Sequence, residues 1–247
     1  MRPGKAIVFT GAAIAAISLA SCESTQQTSK RLSKNAEKLL NAEGLKVTRK
    51  NSSITVAGTA VLKDENGIAV VVDMKNRGRP QAGVPIAITV KGAGGKDLWS
   101  NTLPGLDRSL ITASVVTRGA DFWVNNQIQA AGKPKRAVAR IGPADTSLPA
   151  RPPVIKLSKF KFKNDISGIY LAGEVKNTSQ LPQKRLVISC VSREGGKVIA
   201  AGRAIIDRLA PAPTPKPVLF RVYFIGNPKG GQVQCISPPT TLRGEAQ

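Results

Sequence analysis

An internal repeat restricts the possible folds more than any other feature of this chain. Residues Ile68 to Lys96 recur without a gap as Ile169 to Lys197. Asp73-Met74-Lys75-Asn76 faces Glu174-Val175-Lys176-Asn177, and Gly94-Gly95-Lys96 faces Gly195-Gly196-Lys197. A period of about 100 residues is domain-sized and far longer than the unit of a solenoid. The 247 residues are therefore expected to hold two tandem copies of one small domain.

Hydropathy within the copies has period two: Ile54-Thr55-Val56-Ala57-Gly58, the run Ile68 to Met74, then Val84, Ile86, Ile88 and Val90. That is the pattern of strands. The runs are short and divided by turn signals at Asp64-Glu65-Asn66-Gly67, Asn76-Arg77-Gly78 and Gly92-Ala93-Gly94-Gly95, which points to antiparallel β-sandwiches. Each copy ends in a bulky strand, Phe122-Trp123-Val124 in the first and Phe220-Arg221-Val222-Tyr223-Phe224 in the second. Aromatic residues make up only 4% of the chain, so the cores are expected to pack mainly through β-branched side chains. The Pro-rich stretch Gly142 to Pro153 reads as a semi-rigid spacer. The expected layout is thus all-β, with one sandwich over 51–142, a linker over 143–153 and a second sandwich over 154–241.

The N-terminus carries Arg2 and Lys5, then an apolar run from Ala6 to Ala20 ending in Leu19-Ala20-Ser21-Cys22. Such a run is too short to span a bilayer comfortably and reads as an export signal over 1–21. Its last four residues resemble the lipobox of bacterial lipoproteins. The resemblance implies cleavage before Cys22, lipid on the Cys22 thiol, and a protein anchored to a membrane on its extracytoplasmic side, at the cell surface or the periplasmic face. Two acyl chains anchor stably where one binds reversibly. Residues 22–50 read as a polar, basic tether, with Leu32, Ala36, Leu39 and Leu40 at helical spacing between Ser29 and Asn41. If Cys22 carries lipid, Cys190 and Cys235 remain as one possible pair in an oxidising compartment. A disulfide between them is expected, with two buried free thiols as the alternative.

Of the 37 basic residues only Arg2 and Lys5 lie in the signal, and none of the 15 acidic ones does, so the mature chain carries +20. A field of that sign attracts polyanions. The charges are spread along the whole chain, so ordinary solvation of surface lysines is the competing explanation. Lys133-Pro134-Lys135-Arg136 is a small basic cluster in an expected loop.

The second copy reads Ile169-Tyr170-Leu171-Ala172-Gly173-Glu174-Val175-Lys176-Asn177-Thr178-Ser179, followed by a Gly-Gly-Lys turn, the proline-rich stretch Leu209 to Pro217 and Phe220. It resembles the FxLYD-type immunoglobulin-like domains of prokaryotic envelope proteins over about 60 residues. The resemblance implies an immunoglobulin-like sandwich, an entry strand containing Phe160 and Phe162, and no enzymatic activity. The first copy lacks a tyrosine in its Ile68 to Met74 strand, and joins the family only through the repeat.

Catalytic constellations are hard to find. Histidine is missing from the sequence, which removes the commonest general base and metal ligand. Ser158-Lys159-Phe160-Lys161 matches the Ser-x-x-Lys pattern of acyl-serine enzymes, but it lies in an expected strand where that chemistry needs a helix start. The Gly-Gly-Lys turns lack the rest of a phosphate-binding loop. In Lys159-Phe160-Lys161-Phe162-Lys163 the strand period puts lysines on one face and phenylalanines on the other, so the phenylalanines are expected in the core. Trp99 and Trp123 are expected in core or strand-end packing. No catalytic, cofactor-binding or metal site is expected. The expected role is a non-enzymatic envelope protein that binds an anionic wall polymer or polysaccharide, or else docks another envelope protein, with no specific nucleic-acid partner.

Overall fold

The computed structural model of the chain describes residues 44–144, 148–149, 152–212 and 217–243. The expected signal over 1–21, the lipidated Cys22 and the helix between Ser29 and Asn41 lie outside the described residues. Ala42–Gln247 is one compact unit. It is built from antiparallel strands, as the two-residue period requires. The first half contains β1 (Ile54–Asp64), β2 (Gly67–Asn76), β3 (Gln81–Lys91), β4 (Asp97–Ser100), β5 (Thr112–Val116), β6 (Gly119–Ile128) and β7 (Arg136–Ile141). The second contains β8 (Ile155–Asp165), β9 (Gly168–Asn177), β10 (Gln183–Glu194), β11 (Lys197–Leu209), β12 (Val218–Gly226) and β13 (Gln232–Ile236).

Both halves follow one pairing scheme, and it reaches further back than the sequence repeat. β1-β2-β6 in the first half corresponds to β8-β9-β12 in the second, and β3 with its neighbours β4, β5 and β7 corresponds to β10 with β11 and β13. The halves differ at the strand that follows β3 and β10. β11 is continuous over 13 residues and also pairs with β12, which joins the second half into a six-stranded sheet ordered β13-β10-β11-β12-β9-β8. Its counterpart in the first half is broken into β4 and β5. There the buried side chain of Asn101 takes over the missing pairing. Its Oδ1 accepts from the Ile88 N–H at 2.7 Å, and its Nδ2 donates to the Ile86 carbonyl at 2.7 Å and the Leu110 carbonyl at 2.9 Å. Buried backbone groups left unpaired there would cost as much as lost hydrogen bonds.

The equivalent turns use equivalent side chains. Asp64 accepts from the Asn66 N–H at 2.8 Å and Asp165 from the Ser167 N–H at 2.9 Å, closing the β1–β2 and β8–β9 hairpins. Gly94-Gly95 and Gly195-Gly196 all have positive φ, which the Gly-Gly-Lys turns need and other residues resist. Asn76 and Asn177 end β2 and β9, buried. Asn177 accepts from the Ser179 N–H and hydroxyl and donates to the Leu181 carbonyl at 2.7 Å. Asn76 accepts from the Gly78 N–H and donates to the Arg79 carbonyl at 3.0 Å. Replacing either by alanine strands buried polar groups, so Asn76→Ala and Asn177→Ala are each expected to lower stability by about 2 kcal/mol in urea unfolding. A loss within experimental error would remove the turn-locking role.

Three apolar layers hold the unit together. One lies within the first half and includes Val70, Val72, Met74, Val84, Ile86, Ile88 and Trp123. A second fills the second half around Leu171, Val175, Leu186, Ile188, Phe220 and Val222. The third joins the halves: Ala69, Val71, Phe122 and Val124 pack against Val191, Val198, Ala201 and Ile225. For this reason Ala69 to Val72 is fully buried on both strand faces. An unbroken apolar run is the signature of such two-sided burial. Polar contacts ring the third layer. Arg193 on β10 forks onto the Asp73 carboxylate on β2, and Asp64 Oδ2 accepts from the Gly226 N–H at 2.8 Å.

Candidate functional site

Cys190 and Cys235 are cross-strand neighbours on β10 and β13, 4.1 Å apart at Cα and joined by a disulfide. The bond ties the last strand of the unit to the core, where the Cys190 side chain is buried. Trp123 sits in the first core with its Nε1 donating to the Ser109 carbonyl at 3.2 Å, and Trp99 packs partly buried against the same core. Ser158 and Lys161 flank a bulge on an exposed strand, where Lys159 has φ of 55°. Among the described residues, no group of three or more His, Cys, Asp or Glu side chains could hold a metal ion.

The Lys159 to Lys163 run departs from expectation. Phe162 stands opposite Leu171, on the core-facing side of β9, yet Phe160 and Phe162 are 46% and 47% exposed. The two-residue period assigned the right face, but β8 is the last strand of its sheet, and among the described residues none covers its inner side there. The rings instead lie beside Phe220 and Phe224, with centroids 6.3 and 6.1 Å apart. Gly173 makes room, because a Cβ there would come within 2.5 Å of the Phe220 ring.

The opposite face of β8-β9-β12 gathers charge. Cross-strand register sets Lys156 beside Lys176, Lys161 beside Ala172 and Arg221, and Lys163 beside Tyr170 and Tyr223. The Arg221 guanidinium lies 5.3 Å from the Tyr170 ring centre, and the two tyrosine rings are 5.1 Å apart. Two nearby carboxylates are engaged locally. Glu174 pairs with Lys159 at 3.0 Å, and Asp165 accepts from the Tyr223 hydroxyl at 2.8 Å. Basic and aromatic groups thus share a face after all, with the aromatics supplied by neighbouring strands and not by the lysine-bearing one. The lysines also guard the open edge of β8 against pairing with another chain.

A cavity of about 330 Å³ opens where the halves meet. Phe122, Val124, Val187, Ile205 and Ile236 give it apolar walls, and Asp107, Arg108, Lys184 and Arg185 stand around it. Burial pushes the Asp107 carboxyl up, but hydrogen bonds from the Ser109 hydroxyl and N–H and the Arg185 guanidinium outweigh it and hold it below the usual range. Arg185 reaches Asp107 at 2.6 Å. Arg203 on β11 also lines the cavity and is 9% exposed. Its Nη2 donates to the Ser109 hydroxyl at 2.5 Å, while Nε and Nη1 are buried with no acceptor among the described residues. Sequence reading passed over Arg203, although a lone charge inside Val198-Ile199-Ala200-Ala201-Gly202-Arg203-Ala204-Ile205-Ile206 is a signal that could have been noticed.

In comparison with known proteins, the chain matches no family model, no curated protein and no solved structure.

Proposed function

We propose that this protein is a lipid-anchored, non-enzymatic binding module of the bacterial cell envelope, held to its membrane through Cys22 and engaging an anionic wall polymer or polysaccharide. In this reading both halves are immunoglobulin-like sandwiches and the second is FxLYD-like, resting on the sequence resemblance and the pairing scheme repeated in both halves. The observation that carries the binding claim is the face of β8-β9-β12, where Lys163 lies beside Tyr170 and Tyr223, Lys161 beside Arg221, and Lys156 and Lys176 continue the charge along the strands. Cations in that arrangement engage successive charges of a linear polyanion, and the half-buried Tyr223 ring offers a sugar an edge to lie against, while the buried Tyr170 ring supports Arg221 from beneath. The disulfide supports an oxidising, extracytoplasmic location.

The test is cosedimentation of residues 42–247 with purified wall and membrane fractions across a salt series. With about four ionic contacts and roughly 0.7 counterions released per contact, affinity is expected to fall about fifty-fold between roughly 50 and roughly 200 mM salt. Affinity that holds constant across the series would contradict the polyanion reading.

One observation favours a second reading. Phe160, Phe162 and Ile166 are exposed apolar groups on or near the open edge of β8, and such an edge can accept a strand from another protein. Docking of an envelope protein there would show saturable, salt-tolerant binding with defined stoichiometry.

A further inference from the structure

The cavity between the halves has a different chemistry from the β8 face, and its reading does not depend on that face. Its walls are apolar and its one deeply buried cation is Arg203. A guanidinium has five N–H donors and no way to shed them near neutral pH. Burial lowers the Arg203 pKa to about 10, so it still carries its charge in the cell. Yet among the described residues only Nη2 has an acceptor, the Ser109 hydroxyl. The nearest candidate carboxylate, Asp107, is held by Ser109 and Arg185. Two buried donor nitrogens, Nε and Nη1, therefore lack a partner on a charged group. Such an arrangement is costly unless something supplies an anion, and because Nε and Nη1 have no open surface, an anion in the cavity would reach them through a small turn of the Arg203 side chain.

We infer that this cavity is a binding site for an amphiphilic carboxylate, with Arg203 holding the carboxyl group and Phe122, Val124, Val187 and Ile205 enclosing the apolar body. The size is at the lower end for small-molecule pockets. Arg108, Lys184 and Arg185 around it favour the approach of an anion. A monoanion fits better than a phosphate dianion, because one buried cation meets one charge and Asp107 nearby repels a second. The ligand touches both halves, so binding tightens the contact between them.

The test uses residues 42–247 and isothermal titration with three probes: decanoate, 2-naphthoate and decanol. Decanoate and 2-naphthoate represent a lipid-derived and an aromatic acid, and binding of either or both supports the site and identifies the source. Decanol carries the same chain as decanoate without charge, and is expected to bind roughly tenfold or more weaker than decanoate. Arg203→Met is expected to remove that difference. Because Arg203→Met could disturb folding, Val187→Trp provides a second variant that fills the cavity and leaves Arg203 in place, and it is expected to abolish binding of both acids. Failure of both carboxylates to bind the unaltered protein, equal affinity for decanol and decanoate, or undiminished binding by either variant would overturn the proposal. None of these outcomes bears on salt-dependent polymer binding at β8.

Discussion

Val71→Asp is expected to unfold the protein at ordinary temperatures. Val71 is fully buried on β2 in the layer where the halves meet, and Arg193, the facing cation two residues along the strand, is already forked onto Asp73. A carboxylate there has no partner, and burying it costs several kcal/mol. Stabilities of single domains are about 5–15 kcal/mol, so one such substitution removes much of the total. Calorimetry of the unaltered protein is expected to show one transition, because the halves share an apolar layer and its polar rim. The variant is expected to lose that transition. Two separate transitions in the parent, or a variant that loses only the first, would mean that the halves fold independently.

The second large effect concerns the disulfide. Cys190 and Cys235 are separated by 45 residues, and closing a loop of that length stabilises a fold by about 4 kcal/mol in the chain-entropy model. The double variant Cys190→Ala/Cys235→Ala is expected to melt about 10 °C lower. Reducing the parent with a thiol should reproduce the shift. Unchanged melting after verified reduction would show that β13 is held by its pairing with β10 and its packing alone.

Much of this architecture could be read from the repeat. The gapless match of Ile68–Lys96 to Ile169–Lys197 corresponds to β2 through the turn after β3, and to β9 through the turn after β10. Paired asparagines at 76 and 177 hold equivalent turns because the same backbone bend needs the same amide. The equivalence of β1 and β8 lay outside the repeat, since Asp64 and Asp165 preserve a turn while the strands before them share little sequence. Phe160 and Phe162 show the limit of periodicity, which gives the face a residue occupies but not whether anything covers that face. The run Ala69 to Val72 carried a message of two-sided burial that a period-two reading discarded. The sites were less legible. The basic-aromatic face arises from register among three strands, and the cavity around Arg203 arises from how the halves pack, so no local window of sequence contains either.

Polymer binding is expected to reside on the β8 face and not in the overall charge. The most direct measurement compares salt-series cosedimentation of two fourfold variants of residues 42–247 that remove equal charge. One replaces Lys156, Lys161, Lys163 and Lys176 by glutamine. The other replaces Lys75, Lys96, Lys133 and Lys135, exposed lysines of the first half. The first is expected to lose wall-fraction binding and most of its salt dependence, while the second keeps both. Equal losses in the two variants would show that net charge alone is responsible and would contradict a binding site at the β8 face.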